Sequence, residues 1–176
     1  MSATRLFLRI LSLLCLFSLM LGLGTSCRRS AQTPYEVLLT MQAIEKPLPA
    51  GKLYVRSAPE GDKLHLSDEL LSALFGNGSI PPAMDGVEDA ACFFSYSHPC
   101  EFAVFLCKTV HATSAVSKLC LKRLDTLRQY RSYEGLDDAT VSEYLDRASV
   151  TVRGRYVILC VSSDPEAILR ALRRIG

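Results

Sequence analysis

Residues 91–109 place the tightest limit on the fold. Two apolar runs, Ala91 to Ser97 (ACFFSYS) and Glu101 to Thr109 (EFAVFLCKT), flank His98-Pro99 and are rich in aromatic and β-branched residues. Such runs either side of a turn read as a β-hairpin. In the second run Phe102, Val104 and Leu106 fall on one side, Phe105 and Cys107 on the other. Val150 to Ser162 (VTVRGRYVILCVS) is a further strand, broken by Gly154 at a bulge or tight turn. Lys52 to Ser57 (KLYVRS) reads as a short strand.

Helical signals surround these strands. Thr33-Pro34-Tyr35-Glu36 is a helix start, with Thr33 as N-cap, proline in the first turn and Glu36 placed for a capping box. Val37, Leu38, Met41 and Ile44 then share a face, and Pro47 and Pro49 end the helix. Ser67 opens a second helix, with Leu70, Leu71, Leu74 and Phe75 inward and Gly76-Asn77-Gly78 closing it. Ser114 to Tyr130 carries Val116, Leu119, Cys120, Leu124 and Leu127 on one stripe, an amphipathic helix. A shorter helix runs from Asp137 or Thr140 to Ala148, with Thr140 and Glu143 spaced as a capping box. Ser163-Asp164-Pro165-Glu166 caps a last helix bearing Ile168, Ala171, Leu172 and Ile175. Strands clustered between helices, without βαβ alternation, imply an α+β fold. Its expected core is a small antiparallel sheet from the hairpin at about 91–109 and a strand at about 155–162.

The N-terminus carries an address. Arg5 and Arg9 precede Ile10 to Leu23, a run of apolar and small uncharged residues of the length of a signal h-region and short for a membrane span. Thr25, Ser26 and Cys27 follow and resemble the lipobox of bacterial lipoproteins, whose cysteine accepts a diacylglyceryl group; Gly24 stands where that motif usually has leucine. The expectation is a signal peptide over 1–26, a short tether over 27–33 and one domain over 34–176, anchored through Cys27 to the extracytoplasmic face of the cell membrane. An ordinary cleaved signal, giving a secreted protein, and an uncut anchor remain the alternatives. Two acyl chains suffice for stable anchoring, and the stub Arg28 to Gln32 reaches under about 20 Å.

Processing also changes the charge. The whole chain has 20 basic and 18 acidic residues. Arg5 and Arg9 leave with the signal, and no acidic residue does, so the mature chain is neutral. Nucleic-acid binding, which needs a phosphate-neutralising excess, is disfavoured.

Leu74-Phe75-Gly76 closing a helix, Glu101 to Phe105 as a strand, Lys122-Arg123 in the long helix, Tyr130 to Tyr133 at its end and Gly154-Arg155-Tyr156-Val157 form an ordered series. In these features, from about Leu66 to Ile175, the chain resembles a family of small Gram-positive bacterial lipoproteins, the domain of unknown function 4358. The resemblance implies an extracytoplasmic lipoprotein with an α+β domain, and carries no activity, cofactor or catalytic residue with it. That family usually has tyrosine at the position of Phe75, and fewer cysteines.

Chemistry-bearing residues are sparse. After Cys27 come Cys92, Cys100, Cys107, Cys120 and Cys160; all but Cys100 lie within apolar patterns as small buried hydrophobes, and Cys100 alone reads as open to pairing or reaction. Cys100, Cys107 and His111 lack the spacing of a metal knuckle, and Cys107 with His111 has no orienting third group. His65 and His98 fall in loops. Asp137-Asp138 with Glu134 is better explained as a helix start than as a cation site. No GxSxG, phosphate-cradling glycine loop or HExxH occurs, so neither enzyme activity nor a cofactor is expected. The remaining hint is a basic face on the long helix (Lys118, Lys122, Arg123, Arg128, Arg131), suited to lipid headgroups or cell-wall polymer, which Arg170, Arg173 and Arg174 extend if the two helices are neighbours. The sequence thus points to a membrane-tethered binding or interaction module, with an accessory component of an envelope assembly as the alternative and an enzyme with an unfamiliar site behind both.

Overall fold

The structure, a computed structural model, describes residues 32–130, 132–133 and 135–175, the side chain of Arg174 excepted. The signal segment, Cys27, Arg131 and Glu134 lie outside the described residues.

The runs at 91–109 pair as β2 (Val87–Phe94) and β3 (Glu101–Cys107). β1 (Lys52–Val55) joins the outer side of β2, β5 (Tyr156–Val161) pairs with β3, and β4 (Ser149–Arg153) forms the far edge. All four pairings are antiparallel, in the order β1-β2-β3-β5-β4. With the five α-helices of the described residues packed around it, this sheet makes the fold α+β. The segment 150–162 is a hairpin in its own right. Gly154, at φ 54°, takes the first position of its two-residue turn, where a positive φ matches the twist of the flanking strands. β2 starts four residues ahead of Ala91 because Glu88 and Asp89 disguise it. A bulge between Val87 and Asp89 shifts the register, and the Asp89 carboxylate accepts from the amide and hydroxyl of Ser57, both at 3.1 Å.

Residues opposite one another in an antiparallel ladder share a face, so the register assigns the layers. Glu101, Ala103, Phe105 and Cys107 face α2 (Asp68–Phe75) and α3 (Ala112–Gln129): Arg123 pairs with Glu101, and the Phe75 ring meets Phe105 edge-on at 5.3 Å. Phe102, Val104 and Leu106, with Cys160, Ile158 and Tyr156 across from them, face α1 (Pro34–Ile44) and α5 (Pro165–Ala171). There the Tyr156 hydroxyl donates to the Gln32 carbonyl, and Arg153, opposite Tyr156, donates to the Leu169 carbonyl at 3.2 Å. Helices on both faces bury β3 and β5 from end to end, which is why both read as unbroken apolar runs.

Helix ends follow local chemistry. The capping box of α1 is formed: Thr33 Oγ1 accepts from Glu36 N at 3.2 Å, and Glu36 accepts from Thr33 N at 2.7 Å. Ser67 caps α2, which stops at Gly76, where a Cβ would lie 1.7 Å from the Ser79 carbonyl oxygen. α3 begins two residues ahead of Ser114, its first turn met by Thr109 Oγ1 accepting from Ala112 N. α4 (Asp138–Arg147) is capped by Asp137, not Thr140, through the Thr140 amide at 2.7 Å. α5 is capped by Asp164, since Ser163 is engaged elsewhere, and ends in a 3₁₀ turn at Leu172–Arg174. Among the described residues no helix is long and apolar enough to cross a membrane.

Candidate functional site

Where β2 ends at Phe94 and β3 begins at Glu101, the connecting loop meets the C-terminal half of α3. Together they enclose a pocket of about 350 Å³, within the range of about 300–1,000 Å³ usual for small-molecule sites.

Its floor is a salt bridge. Arg123 Nε and Nη2 donate to the two oxygens of Glu101 at 2.9 and 2.7 Å, a fork that ties the middle of α3 to the start of β3. The side chains are 17% and 6% exposed. Burial opposes the guanidinium charge, but the bond to Glu101 and its charge outweigh this and raise the Arg123 pKa. Its rim is aromatic. Tyr54 stacks on Phe94 at 5.6 Å, Phe94 meets Tyr96 edge-on at 5.3 Å, and Lys52 Nζ lies 5.7 Å from the Tyr96 ring centre. Opposite them Tyr130 and Tyr133 meet edge-on at 5.8 Å. Tyr96 and Tyr130 are 71% and 63% exposed, whereas burial, with Glu101 nearby, pushes the Tyr133 phenol up and keeps its proton on.

A second polar cluster lies behind the loop. Glu45, the residue after α1, is 2% exposed. Its carboxylate accepts from the Tyr144 hydroxyl at 3.1 Å, from the Ser163 hydroxyl and amide at 2.9 and 3.3 Å, and from the Ser162 hydroxyl. It joins α1, α4 and the end of β5, and its four donors satisfy a charge that burial alone would expel. Burial, with the nearby Glu45 charge, pushes the Tyr144 phenol up to about 12. His98 connects the two clusters, lining the pocket while its ring stands against Tyr144. Its Nδ1 accepts from Cys100 N at 3.2 Å, so the neutral ring carries its proton on Nε2. Burial lowers its pKa.

The residues singled out in the sequence mostly fall elsewhere. Cys100 is fully buried, which corrects its reading as an accessible thiol: it packs at the start of β3, and burial raises its pKa. All five described cysteines are buried and unpaired. Cys100 and Cys107 bracket seven-residue β3, roughly 20 Å apart along it, so they do not converge with His111 on one ion. His65 Nδ1 bonds the Ala58 carbonyl at 2.7 Å. Asp137 serves as a cap, and the Thr140 amide lowers its pKa. The basic face of α3 is divided: Lys118 and Lys122 are exposed, Arg123 turns in to Glu101, and Arg128 meets Asp125 and the Leu145 carbonyl. α5, which carries Arg170, lies across the sheet from α3, so the two basic stretches do not merge on one helical layer.

Another hollow, beside Arg56, His65 and the start of α2, has Ser67 capping α2, Arg56 Nη2 3.6 Å from Asp68 and Arg56 Nη1 buried without a hydrogen-bond partner, but its lining offers no tyrosine or phenylalanine face for a ligand to pack on. The pocket at Tyr96 and Tyr130 is therefore the better candidate. Compared with known proteins, the chain matches no family model, no curated protein and no solved structure.

Proposed function

We propose that this chain is a membrane-tethered extracytoplasmic binding module that holds its ligand between the 95–100 loop and the C-terminal half of α3. One observation carries the reading: two tyrosines, 71% and 63% exposed, stand on the rim of a pocket whose floor is a buried ion pair. Exposed aromatic faces over fixed polar groups are what a recognition site needs, since they offer apolar contact at little conformational cost together with orientation. The signal-like N-terminus and Cys27 support the tether, as does the resemblance to the lipoprotein family, and the short stub keeps the domain near the bilayer.

Hydrogen exchange on the full chain in detergent, with and without the envelope fraction of the producing cells, tests the binding reading. Protection is expected at Ser95–Glu101 and in the second half of α3; no protection there overturns it. Metabolic labelling with a lipid precursor tests the anchor. Label on the wild type and none on Cys27→Ala is expected, and equal labelling rejects it.

A further inference from the structure

We infer that the pocket takes a neutral glycan, held through adjacent hydroxyl groups on a sugar ring that packs against the rim tyrosines. The inference rests on the pocket being the binding site and adds the chemical class of what binds.

The floor sets the charge. Glu101 and Arg123 are locked together at 2.7–2.9 Å, so their charges offset one another at the distance of a ligand. An anion would compete with Glu101 for the guanidinium, and a cation with Arg123 for the carboxylate. Neither is favoured over an uncharged ligand.

The hydrogen-bonding capacity left over sets the chemistry. The fork uses Arg123 Nε and one N–H of Nη2; Nη1 has no acceptor among the described residues. Each Glu101 oxygen accepts one bond from Arg123 and keeps a lone pair. Donor and acceptor therefore sit side by side on two residues that line the same cavity. A hydroxyl both donates and accepts, and two neighbouring hydroxyls engage the pair without breaking it. A proline-rich peptide, the other usual occupant of tyrosine-lined grooves, offers carbonyls but few donors and would leave the Glu101 lone pairs unmet.

The rim completes the match. A sugar ring has an apolar C–H face with hydroxyls at its edge. Tyr96 and Tyr130 present exposed rings above the polar floor, so one ring can cover a tyrosine face while its edge reaches Arg123 and Glu101.

The test uses the full chain in a detergent without a sugar headgroup, with labelled tyrosine rings read by NMR. The probes are cellotetraose, maltotetraose and the same sugars after periodate has cleaved their vicinal diols. At least one intact tetrasaccharide is expected to shift the Tyr96 and Tyr130 signals saturably. Its Kd should change less than about twofold between about 0.05 and about 0.5 M NaCl, as an uncharged ligand requires. Tyr96→Ala and Tyr130→Ala, both at exposed positions that leave the core intact, should each weaken binding at least about tenfold. Periodate treatment should abolish it. Failure of both intact sugars, undiminished binding by both variants, or equal binding of the cleaved sugars overturns the inference. If envelope material still protects the pocket from exchange in any of those cases, the binding-module reading stands and only the glycan assignment falls.

Discussion

The ring of His98 stands edge-on to the ring of Tyr144, centroids 4.6 Å apart and planes at 81°, and through this contact the open pocket touches the buried network around Glu45. A loop that shapes the pocket is thus seated on a polar cluster centred on the buried Glu45.

Tyr144→Phe keeps the ring against His98 and removes one donor from Glu45. Hydrogen bonds to charged groups contribute about 1.5–3 kcal/mol, and three donors remain, so a loss of about 1–2 kcal/mol is expected. Urea unfolding of the two proteins at neutral pH measures it; unchanged midpoints would show that Tyr144 is not a necessary donor.

Alkaline pH should act on the same residue. Folding raises the Tyr144 pKa to about 12, chiefly by burial, so the native state favours the protonated phenol. Its contribution is complete below pH 10 and is lost as pH climbs towards 12. Tyr133 and Tyr156 shift in the same direction, so the difference between wild type and Tyr144→Phe isolates the effect. His98 works the other way: its lowered pKa gives stability that is present above its unfolded value of about 6.5 and declines as pH falls below it. Absorbance of phenolate and the histidine ring signals in NMR follow the two titrations directly.

Breaking the pocket floor one partner at a time should be severe. Arg123→Met leaves the Glu101 carboxylate buried and unpaired, which costs about 3–5 kcal/mol. Glu101→Leu combined with Arg123→Met removes both charges and should recover most of the loss. A double-mutant cycle from chemical denaturation gives the coupling, and a double variant as unstable as the single would rule out unpaired charge as the cause.

Much of the fold was legible because it is written in local patterns. The hairpin around His98-Pro99, the Thr33 box and the Ser67 cap each depend on residues within one element. Asp89 shows where that logic stops: a charged residue inside a strand looks like a loop until Ser57, distant in sequence, supplies its partner. The candidate site was harder still. Arg123 looks like one member of a solvated basic face until the register of β3 puts Glu101 beneath it. Glu45 gathers donors from residues about 100 positions away, for which no local signal exists. A charged residue opening an otherwise apolar strand, as Glu101 does, was the one available clue, since a buried carboxylate must find a partner.

The five described thiols should be silent in the native protein. Cys92, Cys100, Cys107, Cys120 and Cys160 are buried, and burial raises the pKa of each, which withholds the reactive thiolate. Alkylation followed by mass spectrometry should modify none of them before unfolding and all five in denaturant without reductant. Fast native labelling at Cys100 would contradict its burial; failure to reach five in denaturant would reveal a disulfide.

The strand order carries a consequence for timing. β5 lies between β3 and β4 yet follows both in sequence. Until Val161 is available, β3 has one open edge and β4 has no partner, and the Ser162 and Ser163 donors to Glu45 are missing. A chain emerging N-terminus first therefore cannot close its sheet until its last strand arrives. The closing of the ladder and the completion of the buried polar network are therefore one event, set by the arrival of residues 156–163.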